Sequence, residues 1–332
     1  MQGQATQNFY QQESANRRQS ILLVVILTAV LAVFGFVIGY AVSRSWQGGI
    51  VALVIAILIS TLLSSFSYFS GDALVLSVSH AHEVDATAAP QLMNVVQELS
   101  IAANVPMPRV YVIDDPAPNA FATGRDPKHA SIAVTSGLLQ KMDREELQGV
   151  IGHEMSHVRN LDTRFLLLVA TLVGSIALLA DFFLRFTFFT GMTGRRGRNN
   201  DSGGGGGAIV LIMFVVGLIL AIVAPIIGAL VQMAVSRQRE YLADASSVEL
   251  TRNPYGLERA LASIASDREP LDVANRATQH LYIVNPLKKF GSNASGLMET
   301  HPPIVDRINR LRALSGEGPL DPQSSAGLAG LD

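Results

Sequence analysis

The chain has 332 residues, of which 49% are hydrophobic and only 16% charged, and its mean hydropathy of +0.32 is high for a soluble protein. It contains no cysteine, which excludes disulfides and thiolate metal ligands. The net charge of −2 provides no electrostatic reason to expect a nucleic-acid partner.

Two long uncharged runs lie near the N-terminus, at residues 19–43 and 45–71. Each exceeds the ~20 residues that a helix needs to cross a bilayer core, so we predict a transmembrane helical hairpin over residues 20–69. The polar tail 1–19 and the length of the first run argue against a cleavable signal peptide. Two arginines at the end of this tail favour a cytoplasmic N-terminus.

A second hydrophobic pair is predicted at residues 165–235. The uncharged run 208–235 is long enough to cross a bilayer, whereas its shorter partner ends at Asp181. The connection between them contains five consecutive glycines and is expected to be flexible. It also carries four arginines, which favour the cytoplasmic side. The pair therefore either crosses twice, as the length of its second run favours, or forms a shallow hairpin.

The polar parts of the chain lie between and after these hydrophobic pairs. Residues 70–164 are predicted to form the first part of a catalytic domain, and residues 236–316 the second part. An even number of crossings places both parts on the cytoplasmic side of the membrane. Residues 317–332 are rich in Gly, Pro and Ser and are expected to form a flexible tail.

The catalytic domain is expected to combine helices with a small β-sheet. A helix at 87–104 precedes short extended segments at "RVYVIDD", "FATG" and "SIAVTSGLL". Another helix begins at about Arg144, because Asp143 and Glu146 have the spacing of a capping box. Further helices are predicted at 238–250, 254–265 and 302–314.

The stretch "GHEMSH" contains the main candidates for catalysis. His153 and His157 are four residues apart, so on a helix they share one face and can reach the same metal ion. Glu154 is displaced around the helix, where its carboxylate can reach a metal-bound water without becoming a ligand. This is the H-E-x-x-H pattern of zinc hydrolases. The alternative, two solvated histidines on a polar helix, is disfavoured by the apolar residues that precede them.

A catalytic zinc site normally takes a third protein ligand. The remaining histidines and many acidic residues are candidates. In "SRQREYLADASSVEL", Glu240 and Asp244 are four residues apart on a predicted helix. Glu240 can then face the metal while Asp244 accepts an N–H from a ligand histidine. An ordinary solvated acidic pair has the same spacing, so spacing alone leaves both interpretations open.

Four motifs occur in the same order as in a known protease family: "IGHEMSHVRNLDT" is preceded by "PAPNAFATGRDPKHASIAVTSGLL" and followed by "SRQREYLADA" and "THPPIVDRINRL". The chain resembles the HtpX-type integral-membrane zinc metalloproteases, which are related to the CAAX prenyl proteases. The resemblance covers about residues 70–315. Met155 and Leu161 depart from the family pattern at positions that need not touch the metal, and the glycine-rich connection is less typical.

The resemblance implies a zincin-like domain with one zinc ion per chain. His153, His157 and Glu240 are the expected ligands, with Asp244 accepting a hydrogen bond from a ligand histidine. Glu154 is the expected general base, which takes a proton from the attacking water and delivers it to the leaving amine.

The resemblance also implies residues that bind the substrate and stabilise the oxyanion. His301 in "HPP" is the expected oxyanion donor, the alternative being a residue that only precedes a helix. Arg307 is either a donor near the site or a salt-bridge anchor. Asn119, Ala120 and Phe121 are expected to line an edge strand to which a substrate peptide adds, the alternative being a turn and a core strand.

The predicted protein is therefore a mainly α, multi-pass protein of the cell (inner) membrane with a cytoplasmic α+β protease domain. Its partners are the lipid bilayer and polypeptide substrates, and the expected function is hydrolysis of misfolded or damaged membrane proteins. A prenyl-peptide processing protease is the first alternative, disfavoured by the small number of candidate spans. A non-catalytic zinc-binding membrane chaperone is the second, disfavoured because zinc binding does not need Glu154.

Overall fold

The computed structural model of the chain describes residues 43–167, 237–267, 269, 271, 281–284 and 302–321, together with scattered residues between 18 and 40. The second predicted hydrophobic pair beyond residue 167, with its glycine-rich connection, lies outside the described residues. His301 and the tail after residue 321 lie outside them as well.

Helix α1 (Trp46–Val78) is the long apolar element of the described chain. It begins after Ser45, whose side chain accepts a hydrogen bond from the Gly48 N–H at 3.1 Å. Its most apolar stretch has a mean hydropathy of 2.5, and among the described residues it is the one helix long and apolar enough to cross a membrane. The described residues between 18 and 40 are helical and pack against it, with Thr28 Oγ1 2.9 Å from Ser60 Oγ.

The last turns of α1 extend beyond residue 69 and pack against the polar domain. Asp72 accepts a hydrogen bond from Arg109 at 3.2 Å, and the Arg125 guanidinium lies 5.5 Å from the centre of the Phe69 ring. A helix of 33 residues is about 50 Å long, well above the ~30 Å of a bilayer core. Its C-terminal turns are therefore part of the folded domain.

Four strands form a small mixed sheet in the order β1-β2-β4-β3. β2 and β4 are parallel, whereas β1 pairs antiparallel with β2 and β3 pairs antiparallel with β4. In the β3–β4 pair, Ala120 lies opposite Val134 and Gly124 opposite Ala130. β3 is therefore an edge strand of this sheet. The strands are β1 (His82–Glu83), β2 (Arg109–Ile113), β3 (Ala120–Gly124) and β4 (Ala130–Thr135).

The helices of the domain are α2 (Pro90–Ala103), α3 (Ser136–Lys141), α4 (Arg144–Arg159), α5 (Arg237–Thr251), α6 (Pro254–Ser266) and α7 (Ile304–Leu314), with a 3₁₀ turn at Pro127–His129. Helix α4 contacts α2, α5 and α6 and lies at the centre of the helical layer. The mainly helical character and the small sheet agree with the prediction from sequence. The predicted capping box at Asp143 and Glu146 is also present, since each residue's side chain accepts from the other's backbone N–H.

Buried side chains cover both faces of the sheet, because alternate strand residues point to opposite sides. On β2, Val110 and Val112 belong to the core formed with α2, α4, α6 and α7. Tyr111 and Ile113 belong to a second cluster with the end of α1 and with residues 165–167. The sheet therefore joins the helical layer to the two segments that lead into the predicted membrane regions.

Two glycines allow α4 to approach its neighbours closely. A Cβ on Gly149 would lie 2.7 Å from Leu257 Cα, and a Cβ on Gly152 would lie 2.7 Å from Ser247 Oγ. Ser247 Oγ donates a hydrogen bond to the Gly149 carbonyl at 2.7 Å. This approach sets the position of α5 against α4, and these two helices carry the histidines and acidic residues identified from the sequence.

The extended segment expected around "SIAVTSGLL" is present as β4, which ends at Thr135 and is followed by α3. The Thr135 side chain caps α3 by accepting a hydrogen bond from the Leu138 N–H at 3.2 Å. A threonine at the end of a strand has a high strand propensity, and its capping role depends on the chain turning at that residue.

Candidate metal centre and active site

Helices α4 and α5 bring two imidazoles and one carboxylate together in the interior. The Nε2 atoms of His153 and His157 are 3.2 Å apart. Glu240 Oε2 lies 3.6 Å from His153 Nε2, and Glu240 Oε1 lies 3.7 Å from His157 Nε2. All three side chains are buried, and one ligand atom from each lies within 4.8 Å of the others.

These distances fit a tetrahedral metal site. Two nitrogens bound at zinc distances to one ion, at a tetrahedral angle, are about 3.3 Å apart. The separations among the three groups are of this size, with the carboxylate slightly further out. Imidazole nitrogen and carboxylate oxygen are also ligand types that zinc accepts. The donor set therefore fits a divalent metal ion held by His153, His157 and Glu240.

A carboxylate faces the second nitrogen of each imidazole. Asp244 Oδ1 lies 2.9 Å from His153 Nδ1, and Asp162 Oδ2 lies 3.1 Å from His157 Nδ1. A carboxylate accepts the Nδ1 proton and leaves the Nε2 lone pair directed toward the metal. The structure thus places Asp244 where the sequence pattern predicted it. Asp162 was not identified from sequence, although it lies within the quoted "HEMSHVRNLD" segment.

Each of these carboxylates is in turn close to a buried arginine. Arg307 donates to Asp244 through Nε at 2.9 Å and Nη2 at 2.6 Å, and it also donates to the Ile283 carbonyl at 3.0 Å. Arg239 Nε lies 3.7 Å from Asp162 Oδ1. Arg307 thus forms a buried salt bridge with Asp244, and its Nη2 also lies 3.3 Å from His153 Nδ1.

The charges in this cluster shift the ionisation of the histidines in the metal-free protein. Burial lowers the pKa of His157, but the hydrogen bond to Asp162 and the charge of Glu240 outweigh it and raise the pKa to about 9. Burial likewise opposes protonation of His153, yet its bonds to Asp244 and Glu240 raise the net pKa above the ordinary value. Without a metal, His157 therefore retains a proton at neutral pH.

Glu154 lies on the same helix and faces the cleft beside β3. Its side chain is only 2% exposed. Burial raises the pKa of this carboxyl above the ordinary value, against the opposing charges of His153 and His157. Glu154, His153, His157 and Glu240 line the cleft together with apolar side chains. The other lining residues are Ala122, Leu166, Leu281, Tyr282 and Ile283.

The predicted edge-strand residues lie at the end of this cleft, next to the segment 281–284. The Ile283 N–H donates to the Ala120 carbonyl at 3.0 Å, and Asn119 Nδ2 donates to the Val284 carbonyl at 3.0 Å. The ring of Phe121 packs edge-on against Tyr282, with 5.1 Å between centroids. These three residues therefore hold segment 281–284 in place, and the β3 residue that lines the cleft is Ala122.

Comparison with known proteins identifies the family of the chain. The sequence profile of peptidase family M48 matches residues 86–315, which is most of the chain. The chain belongs to peptidase family M48. Proteins named "Protease HtpX homolog" cover nearly the whole M48 chain: one from Streptococcus uberis is 43% identical over 91% of this chain and 99% of its own length. One from Lactobacillus helveticus is 42% identical over 92% of this chain and 99% of its own length.

Among solved structures, the crystal structure of S. mikatae Ste24p aligns with the M48 chain at a TM-score of 0.41 and 13% identity, covering 91% of this chain and 67% of that one. The resemblance to HtpX-type proteases, inferred from the four motifs, is confirmed by the family match and the relatives. The M48 chain is therefore a metalloprotease of the HtpX type, a family of membrane peptidases.

Proposed function

We propose that this M48 chain is a membrane-bound zinc endopeptidase that hydrolyses misfolded or damaged membrane proteins at the cytoplasmic face. One observation carries the proposal: a buried carboxylate, Glu154, lies beside a metal-compatible set of two imidazoles and a carboxylate, in a cleft bounded by an edge strand. A metal site that served only to stabilise the fold would be closed by a fourth protein ligand and would need no such neighbour.

The proposed ligands of one zinc ion per chain are His153, His157 and Glu240. A zinc ion held by these residues would polarise a peptide carbonyl and lower the pKa of the attacking water. The three residues are supplied by α4 and α5, whose close packing at Gly152 sets their separation. Asp244 and Asp162 accept the Nδ1 protons, so both imidazoles present the Nε2 lone pair to the same point.

Glu154 acts as the general base and then as the general acid. Burial raises the pKa of the Glu154 carboxyl. A higher pKa makes the carboxylate a better proton acceptor, as a general base at neutral pH requires. The carboxylate takes the proton of the water that attacks the scissile carbonyl and delivers it to the leaving nitrogen. The apolar lining of the cleft limits access of bulk water to this transfer. His301 is proposed as a donor to the developing oxyanion on the strength of the family motif.

The substrate is proposed to bind as an added strand along the outer edge of β3. Ala120 already accepts a hydrogen bond from Ile283, so the edge that remains for a peptide begins at Ala122, beside Glu154. Asn119 and Phe121 support this arrangement by holding the segment that contains Ile283. Recognition through the peptide backbone suits a protease that accepts unfolded polypeptides of many sequences.

The setting of the cleft supports a membrane-protein substrate. The end of α1 packs on the sheet, and residues 162–167 form the helix that leads from the metal site into the second hydrophobic pair. A site held at this junction is suited to polypeptides that emerge from the bilayer. Reporter fusions at Asn199 test the topology: a non-cytoplasmic signal supports four crossings, and a cytoplasmic signal supports a shallow second hairpin.

The proposed function is tested by Glu154→Gln in detergent-purified protein with casein as the unfolded substrate. The variant should retain zinc and lose cleavage by a factor on the order of 10² to 10⁴, because it keeps the shape of the side chain but cannot accept a proton. Glu145→Gln on the exposed face of the same helix is the matched control and should cleave normally. Cleavage by zinc-loaded Glu154→Gln at the wild-type rate would rule out the mechanism and favour a role in binding alone.

A further inference from the structure

We propose that Asp162 and Arg239 act as positioning residues for the metal site. The inference rests on the proposed function and extends it to two residues that are not themselves metal ligands. Asp162 would orient the His157 imidazole, and Arg239 would orient Asp162. Together they form a link between the two halves of the site, which are separated in the chain by the whole second hydrophobic pair.

The Asp162 carboxylate lies between an imidazole and a guanidinium. One carboxylate oxygen lies 3.1 Å from His157 Nδ1 and the other lies 3.7 Å from Arg239 Nε. Asp162 is 1% exposed and His157 is 7% exposed. A buried carboxylate that bridges an imidazole and a guanidinium fixes the plane of the ring and the nitrogen that carries the proton. His157 is thereby left with Nε2 directed toward His153 and Glu240.

The backbone turns between the end of α4 and Asp162. Helix α4 ends at Arg159, and Leu161 has a left-handed conformation with φ of 60°. This conformation costs a branched residue such as leucine about 1 kcal/mol or more and persists only where surrounding contacts enforce it. The reversal at Leu161 brings the next residue back toward the last turn of α4. Asp162 is thus close to His157 although a straight helix would carry it away.

Arg239 lies next to the third proposed metal ligand. It immediately precedes Glu240 on α5, so a contact that holds Arg239 also limits the movement of the third ligand. Its guanidinium lies 4.7 Å from the centre of the Phe165 ring, on the helix that begins at Asp162. Arg239 is 7% exposed. It therefore contacts the same four-residue stretch twice, through the carboxylate and through the aromatic ring.

The arrangement mirrors the one at the other histidine. There, Arg307 holds Asp244 and Asp244 faces His153. The difference is that Asp244 and Glu240 belong to one helix, so their relation is set by helical spacing. Asp162 and Arg239 come from opposite sides of residues 163–238. The contact between Asp162 and Arg239 must therefore help to align α5 with α4. We infer that the affinity of the site for its metal depends on this contact.

The test measures zinc affinity by chelator competition and the visible spectrum of the cobalt-substituted, full-length protein in detergent. Asp162→Asn should weaken zinc binding by roughly 10–100-fold and alter the cobalt spectrum, because the ring loses its charged partner. Arg239→Lys should produce a smaller loss in the wild-type background and no further loss in Asp162→Asn, because it acts through the same carboxylate. Asp143→Asn and Arg159→Lys, which alter an acidic cap and a peripheral ion pair of α4, are the matched controls and should bind zinc normally.

Zinc affinity of Asp162→Asn within about twofold of wild type, with an unchanged cobalt spectrum, would overturn the proposal. If Arg239→Lys weakens zinc binding equally in the wild-type protein and in Asp162→Asn, the role of Arg239 would be overturned. If Asp162→Asn does not accumulate in folded form, the zinc affinity of Arg239→Lys alone tests the proposal. An unchanged zinc affinity in that variant counts against the role of the Asp162–Arg239 contact. Failure of the wild-type protein to bind zinc would instead refute the proposed function, so the two failures are distinguishable.

Discussion

Replacing Gly149 with alanine tests whether the close approach of α4 and α6 holds the domain together. The added Cβ would lie 2.7 Å from Leu257 Cα and 2.8 Å from the carbonyl carbon of Gly256, and closer still to the Leu257 nitrogen. These are backbone atoms, so no side chain can rotate away. The two helices must separate by roughly 1 Å before the contacts become ordinary, and overpacking of this kind typically costs 1–3 kcal/mol.

The net effect is the difference between this cost and a helix-propensity gain. Glycine to alanine within a helix is favourable by about 0.5–1 kcal/mol where there is room. Because the backbone cannot yield locally at Gly149, we expect a net destabilisation of about 2 kcal/mol. For a domain of this size that corresponds to a fall in Tm of about 4–8 °C.

The assay is thermal unfolding of the metal-free protein in detergent, followed by circular dichroism. Gly152→Ala is the matched control, one turn along the same helix. Its new Cβ would meet the Ser247 hydroxyl at 2.7 Å, and that group can rotate at the cost of its bond to the Gly149 carbonyl. Gly149→Ala should therefore be the less stable of the two variants. A Tm at or above the wild-type value for Gly149→Ala would refute the reasoning.

Four further predictions concern the metal site and the turn beside it. Glu240→Ala should lose zinc on dialysis, as measured by elemental analysis, and a full complement of zinc would remove Glu240 from the ligand set. The pKa of His157 in the metal-free protein is raised to about 9, so zinc must displace the His157 proton at neutral pH. Chelator competition should therefore show a zinc affinity that rises about tenfold per pH unit up to pH ~9. The raised pKa of His157 also stabilises the metal-free fold, and this contribution is fully present below about pH 6.5. It should disappear between pH 6.5 and 9, so the Tm of the metal-free protein should fall over that range. An unchanged Tm would contradict this prediction. Leu161→Gly should leave the Tm unchanged or raise it, because glycine removes the strain of the left-handed backbone conformation. Leu139→Gly in α3 is the control and should lower the Tm. Equal losses of Tm in the two variants would show that Leu161 is not strained.

The local relations within helices were predictable from the sequence. Residues four apart on one helix share a face whatever the rest of the fold does, which is why His153 and His157 could be paired from their spacing. The same argument paired Glu240 with Asp244 on α5. The capping box at the start of α4 was also predictable, because its hydrogen bonds join residues three apart.

Contacts between distant segments were not predictable in this way. Arg307 reaches Asp244 only because α7 packs beside the core helices, and no spacing rule links the two residues. The Ile283 N–H donates a hydrogen bond to the Ala120 carbonyl on β3, and no sequence motif relates these two residues. Both contacts depend on packing across the domain.

The sequence by itself determined that the chain carries long apolar segments, a helix with two imidazoles on one face, and a second helix with an acidic pair. These properties depend on composition and on the fixed rise and rotation of an α-helix. Only the tertiary structure decided that the two helices meet with their ligand atoms within 4.8 Å. It also decided that the left-handed turn at Leu161 returns Asp162 to His157, because that contact is set by packing and backbone strain.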